Sequence, residues 1–272
     1  MSALVAKIVL APAFVVAASL AARRYGPRVG GLIGGLPVVA GPILLVFALD
    51  HGAAFGARAA AGTLLGMVSL CTFLVVYARL AGQTTWIASL LAGWGAFFAM
   101  TAMLDTVSLG AGAALAVVLA ALWLTQRALP RTREHARSEF VPPAWDLPLR
   151  ALSALGLVLA LTALAGRLGP QLSGLLAPFP VIASVLAVFT HTQHGEQHLL
   201  QVVRGFATGL VAYALFCFAL AVSLESLGIA SGFALATVCA LAIQSAVLGL
   251  TRRAHGSRRS ASLALDPRRS RL

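Results

Sequence analysis

Long apolar runs, separated by short clusters of charge and glycine, organise this chain. Nine stand out, at roughly 3–22, 30–49, 56–78, 86–104, 107–126, 149–166, 172–190, 199–223 and 229–250. Each approaches the roughly 20 apolar residues that carry an α-helix across the hydrocarbon core of a bilayer. The expected fold is therefore all-α, a polytopic transmembrane helix bundle of about nine spans. Only Asp105 and Thr106 separate the fourth and fifth runs, so an even count stays open. The first run ends in Ala18-Ser19-Leu20-Ala21, which has the small residues of a signal-peptide cleavage site. Arg23 and Arg24 follow that run instead of preceding it, so it reads as a retained first helix.

Composition narrows the classes further. Of 272 residues, 60% are hydrophobic and 10% charged, and mean hydropathy is +0.92. A soluble domain carries about 25% charged residues, so a soluble enzyme and a large soluble domain are both excluded. The lipid bilayer is the expected surrounding. The net charge of +12 resembles a nucleic-acid signal until its placement is seen. Arginines crowd the segments around 23–28, 127–150 and 252–271, as positive-inside loops do, so no nucleic-acid partner is expected. With the N-terminus outside, 17 of the 20 Lys and Arg residues fall inside, leaving Lys7, Arg58 and Arg167 outside. The C-terminus is then cytoplasmic. Cys71, Cys217 and Cys239 all lie in apolar runs without metal or disulfide spacing.

Self-comparison reveals a repeat. At a constant offset of 143, residues 22–78 match 165–221 without a gap. The pairs Arg24/Arg167, Gly26/Gly169, Pro27/Pro170, Gly31/Gly174, Pro37/Pro180, His51/His194, Gly52/Gly195, Gly62/Gly205 and Gly66/Gly209 are identical. The corresponding division is 1–128 as a five-span repeat, 129–148 as a basic linker, 149–250 as a four-span repeat and 251–272 as a basic tail. Five spans precede the second copy, so it enters the membrane from the opposite side. Inverted repeats of this kind place substrate near the midplane, at the interface between the halves.

The run Arg-x-Gly-Pro-x-x-x-Gly-Leu-x-x-x-x-Pro-Val begins at Arg24 and again at Arg167. It resembles the small GlpM-like bacterial inner-membrane proteins, here duplicated, over about 60 residues per half. The resemblance implies common descent and a bacterial-type cytoplasmic (inner) membrane location, and it supplies no activity. The general plan is also similar to inverted-repeat drug/metabolite-type transporters, from whose five-plus-five arrangement this chain departs with five plus four.

Several residues carry candidate chemistry. Pro37 and Pro180 each interrupt an apolar run, freeing backbone carbonyls that lipid cannot satisfy. They are either ordinary kinks or the lining of a substrate cavity. The glycines at spacings of three and four read as close helix packing. Arg24 and Arg167 sit at span boundaries, as snorkelling anchors or, for Arg167, as an external gate. His51 and His194 end the interrupted helices, facing either the helix dipole or a protonation gate. His191, His194 and His198 have ligand-like spacing, but Gly195 interrupts their face, so no metal is expected. Arg204 lies in an apolar context, a candidate contact for an anionic substrate or a partner carboxylate. Asp105 is the acidic candidate, placed to cap a short external hairpin. No HExxH, GxSxG, Walker A or DxxxD signature occurs, so neither enzyme activity nor a cofactor is expected.

The leading expectation is a secondary transporter or exporter of an unknown small molecule, with more arginines than acids tilting the substrate towards an anion or an amphipathic metabolite. The alternative is a membrane scaffold or regulatory subunit that docks a partner through its basic loop and tail. An intramembrane lipid enzyme is weakest, because the polar residues do not converge. Either a monomer or a homodimer fits the repeat. Single cysteines at positions 25 and 168, in a cysteine-free background on intact cells, test the topology. An impermeant thiol reagent should label position 168 and not position 25; labelling of both would make the halves parallel.

Overall fold

The computed structural model describes residues 2–38, 40–132, 145–165 and 175–264. Among these the protein is all-α, with nine helices and no strand. They are α1 (Ser2–Tyr25), α2 (Pro27–Gly34), α3 (Ala40–His51), α4 (Ala53–Leu80), α5 (Trp86–Asp105), α6 (Ala111–Ala128), α7 (Asp146–Ala165), α8 (Val181–Leu227) and α9 (Ile229–Ala264). Five segments are long and apolar enough to cross a membrane: α4, α5, α6, α8 and Ile229–Gly249 of α9.

Local chemistry sets the helix boundaries. Gly26 adopts φ 98°, a conformation that side chains rarely take, and Pro27 follows at the first helical position of α2, where its missing N–H costs nothing. Thr85 caps α5 by accepting a hydrogen bond from the Ala88 N–H at 3.3 Å. The run expected at 30–49 is two helices, α2 and α3, separated by a turn at 35–38. The 47-residue α8 bends at Gly195, where φ 78° and ψ 179° leave the helical region. Gly52, between α3 and α4, has nearly the same backbone at φ 91° and ψ 165°. These two glycines are one of the identical pairs of the repeat.

Apolar side chains fill the centre and also cover much of the outer surface. Helix α4 and the 196–227 limb of α8 form the centre, with Leu64, Met67, Phe73, Leu74, Leu210 and Leu220 almost fully buried. Around them α5, α6 and α9 turn Leu91, Phe98, Trp123, Leu124, Val238 and Leu241 outward. Such a surface suits lipid, where an exposed Leu is not penalised.

Glycine lets the central backbones touch. A Cβ on Gly31 would overlap the Val202 carbonyl oxygen, and one on Gly205 would overlap that of Arg28. The same holds for Gly209 against the Leu32 carbonyl and for Gly66 against the Leu175 carbonyl. The last two contacts correspond under the repeat offset, with the partners exchanged. Helix α2 thus lies on the long helix of the second matched segment, and the Leu175 backbone lies on that of the first.

The two ends of the bundle are distinguishable. At one, the Arg79 Nε donates to the Ala128 carbonyl at 3.1 Å, and the Tyr77 hydroxyl lies 3.4 Å from His191 Nδ1. At the other, His51 stacks on Phe55 with ring centroids 4.5 Å apart, and Leu224 lies against Gly56. Phe55 and Tyr77 are separated by about 33 Å of helix at 1.5 Å per residue. The segments around Arg23, Arg79, Arg127–Pro130 and 191–204, which the charge distribution groups together, share the Tyr77 end.

Gly205→Ala or Gly209→Ala should cost about 1–3 kcal/mol each through overpacking against backbone that cannot retreat. Gly95→Ala, at a position with open space around it, should be neutral or gain up to about 1 kcal/mol. Thermal unfolding in detergent ranks the three.

Candidate functional site

The two proline interruptions have the same local structure. Around Pro37, the Leu36 N–H donates to Ile33 O at 3.1 Å, Val38 N–H to Leu36 O at 2.8 Å and Gly41 N–H to Pro37 O at 2.8 Å. Around Pro180, Phe179 N–H donates to Leu176 O at 2.9 Å, Val181 N–H to Phe179 O at 2.7 Å and Ser184 N–H to Pro180 O at 2.7 Å. Every donor and acceptor in one set stands at the repeat offset from its counterpart in the other. The middle bond of each set closes a three-residue turn on proline. Pro180, at φ −74° and ψ 49°, lies close to the inverse γ-turn minimum. Ordinary proline kinks need not share this geometry.

Both turns border one space. A cavity of about 40 Å³ is lined by Gly34 and Gly35 from the first interruption and by Ala177 and Pro180 from the second. Leu70 of α4 and Tyr213 of α8, themselves a pair under the repeat offset, complete it. Tyr213 lies about 27 Å along α8 from Gly195 and about 21 Å from Leu227, so the cavity is central. Tyr213 is 5% exposed, and its hydroxyl has no hydrogen-bond partner among the described residues. No charged side chain lines the cavity. The second turn is further fixed by α5: Phe179 packs on Trp94, Phe97 and Phe98 at centroid separations of 5.8, 5.4 and 5.6 Å. The Trp94 Nε1–H also donates to Ser184 Oγ at 3.0 Å.

A second polar feature lies at the Tyr77 end. Asp146, fully buried at the start of α7, accepts hydrogen bonds from Arg23 at 2.5 Å, from Arg150 Nε at 3.0 Å and from Gln193 Nε2 at 2.5 Å. Arg150 donates in turn to Gln193 Oε1 at 3.0 Å and lies 4.7 Å over the Phe189 ring. Burial would raise the Asp146 carboxyl. The hydrogen bond from Gln193, the charge of Arg150 and the hydrogen bonds from Arg150 and Arg23 outweigh it, holding the group below its ordinary value. This network ties α1, α7 and α8 together. Beside it an apolar groove of about 590 Å³ runs between α5, α7 and the 181–194 limb, with Trp86, Trp145 and Gln193 in its wall.

The other expected site residues are dispersed. Arg204 caps the end of α6, donating to Gln126 O at 3.3 Å, Leu129 O at 3.1 Å and Pro130 O at 2.9 Å. That is the favourable place for a cation at a helix C-terminus, and among the described residues no carboxylate pairs with it. His51 is exposed on Phe55 at one end, while His194, near His198 at 5.7 Å between centroids, is at the other. Arg24 is exposed over Tyr25 at 5.7 Å, and Asp105 is exposed at the end of α5. Arg167 lies outside the described residues. The structure thus brings the two proline turns to one cavity, through Pro180 itself and through Gly34, Gly35 and Leu36 beside Pro37, and leaves the charged candidates apart. Tyr213 and the Asp146 network were not anticipated. The i,i+4 pair Asp146 and Arg150 at a helix start was their one readable signal.

Searches against protein-family models, curated proteins and solved structures find no match to this chain.

Asp146→Asn should destabilise by about 3–5 kcal/mol, because it leaves Arg150 buried without its counter-ion. The folded carboxyl titrates below its unfolded value of about 3.9. Its contribution is therefore fully present above about pH 4 and is lost as pH falls through the lowered folded pKa. The gap in thermal midpoint between wild type and variant should be flat from pH 5 to 8 and close on acidification below pH 4.

Proposed function

We propose that this chain is an integral membrane secondary transporter of a small molecule, working by alternating access between two inverted repeats. One observation carries the reading: two proline turns with matching hydrogen bonds, one from each copy, border a single central cavity. A turn with few lateral hydrogen bonds is a natural hinge, and two of them flanking one site allow either half to move against the other. Non-helical backbone at membrane depth is tolerated where it is buried in protein or lines such a cavity.

Helix boundaries support the inversion. Helix α4 begins at Ala53 and the second limb of α8 at 196, while α5 begins at Trp86 and α9 at Ile229, each pair again at the repeat offset. Helices α1 and α7 stand in the same relation to within a residue. Each copy then contains four spans, and α6 is the single connecting helix. An odd number of crossings in the first copy and connector together reverses the second. The placement of His51 and His194 at opposite ends of the bundle fits that arrangement, as do the exchanged contacts of Leu175 with Gly66 and of Leu32 with Gly209. The GlpM-like resemblance fits a duplication of a smaller ancestor.

In this mechanism the Asp146 network holds one end of the bundle together while the cavity lies between the hinges. Closing and opening require relative movement of the α2–α3 and 175–194 segments, whose turns interrupt the helical hydrogen bonding near the centre. Pro37→Ala and Pro180→Ala, which let the helices run through, should each reduce solute exchange in proteoliposomes at least ten-fold with little loss of folded protein. Deletion of 251–272 should leave exchange intact. The reverse pattern, full exchange in both proline variants and loss on tail deletion, would favour the docking role.

A further inference from the structure

We propose that the apolar groove between α5, α7 and the 181–194 limb holds one acyl chain of an anionic phospholipid, from the leaflet at the Tyr77 end, with its headgroup among the arginines there. The site is separate from the central cavity, and the inference does not rest on the transporter reading.

The wall of the groove suits hydrocarbon. Among the described residues no charged side chain lines it. Its four polar side chains are engaged within the protein. Ser184 Oγ accepts from Trp94, Ser153 Oγ donates to Leu149 O at 2.8 Å, and Thr192 Oγ1 donates to Val188 O at 2.9 Å. Gln193 is bonded to both Asp146 and Arg150. A polar ligand gains few hydrogen bonds in such a wall, whereas the aliphatic and aromatic side chains around it complement an alkyl chain.

Length and depth match one leaflet. The shallow end lies at the Tyr77 end of the bundle, where Gln193 joins the Asp146 network and Trp86 starts α5 just beyond the turn after α4. Trp94 and Ser184, bonded to each other, mark the deep end, and Trp94 also packs on Phe179 of the second proline turn. From Trp86 to Trp94, and from Gln193 to Ser184, the groove follows each helix for about 12–14 Å. One leaflet contributes about 15 Å of hydrocarbon, half of the bilayer core. Trp86, Trp145 and Leu149 are exposed, so the groove opens at the surface. The two tryptophans stand at its shallow end, as interfacial anchors do.

Charge selects the headgroup. Arg150 lies 4.7 Å over the ring of Phe189, a wall residue, and Arg23 is 34% exposed beside Asp146. Arg79, Arg127 and Arg204 stand at the same end. Its carboxylates among the described residues are Asp146 and Glu196, the latter against Gly82. An excess of arginine at a membrane surface attracts anionic lipid.

Three of the four tryptophans line the groove, and Trp123 is exposed on α6, so fluorescence reads the site directly. The full chain in detergent, with Trp94 kept and the other three tryptophans replaced by phenylalanine, is titrated with phosphatidylglycerol brominated on its acyl chains. Emission should fall to a plateau near one lipid per protein. Phosphatidylcholine with the same chains should bind about five-fold more weakly. Ser153→Phe sets a ring in the groove and should weaken quenching at least as much, with an unchanged thermal midpoint. A protein keeping only Trp123 should show no plateau. Identical, non-saturating quenching at Trp94 and Trp123 would reduce the groove to ordinary boundary lipid and overturn the proposal. Equal affinity for the two headgroups would overturn it too, as would absence of quenching at Trp94, the result expected of a groove closed by a second copy. Where the single-tryptophan proteins fail to fold, the wild type decides: phosphatidylglycerol should raise its thermal midpoint saturably and more than phosphatidylcholine does, and equal effects would count against the site. Solute exchange enters none of these measurements, so the transporter reading stands or falls separately.

Discussion

Direct contact between backbones, made possible by glycine, is the constraint on which the rest of this structure depends. In lipid there is little hydrophobic gain from bringing two helices together, so association relies on close van der Waals approach and polar contacts. Gly31, Gly205 and Gly209 seat α2 against α8, and Gly66 seats the Leu175 backbone against α4. The glycine at each contact leaves no room for even one methyl group. Because α2 lies on the long helix of the other matched segment, and Leu175 returns the exchange, neither segment completes its packing alone. The same exchange brings the two proline turns to opposite sides of one space.

Those turns resolve a conflict between membrane and backbone. A proline inside a span removes a donor and displaces a carbonyl, and hydrocarbon offers no replacement partner. Each γ-turn satisfies one carbonyl with the second following N–H and restarts a helix at once. The cost falls on the first N–H groups of the new helix, which is why Ile182 and Ala183 face the cavity unpaired. The halves are not equivalent in their side chains. Phe179 is set among three aromatic rings of α5 where the first turn has Leu36, and Tyr213 stands where α4 has Leu70. A matched backbone thus carries an unmatched polar group at its centre.

Much of this was legible in the residues because proline and histidine are scarce, and glycine recurs at fixed positions, against an Ala-, Leu- and Val-rich background. The pairing of Pro37 with Pro180, and of Gly52 with Gly195, anticipated shared backbone conformation. What stayed hidden depended on tertiary placement. Tyr213 reads as one aromatic among apolar neighbours, since nothing in its own run records that its hydroxyl lacks a partner. Arg204 looked like a charge at membrane depth because the sequence does not show the end of α6 arriving to accept its hydrogen bonds. Asp146 was lost in a loop read only for its positive charge. Burial by α1 and α8 turns it into the anchor of two arginines.

That anchor is the feature the repeat did not copy. Positions 23, 146, 150 and 193 correspond to Gly166, Ala3, Lys7 and Asp50 under the repeat offset. The matching positions in sequence therefore carry one lysine and one aspartate in place of two arginines, an aspartate and a glutamine. A buried carboxylate with three donors resists separation, because pulling it from one partner leaves charge without compensation. In an alternating-access cycle, two halves of matched backbone would then rest in unequal states, with the Asp146 end favoured closed. A ligand shifts such an equilibrium only by its difference in affinity between the two states. Under the proposed function, the central cavity bordered by both proline turns is where that difference would arise, and the strength of the network would set how selective the cavity must be.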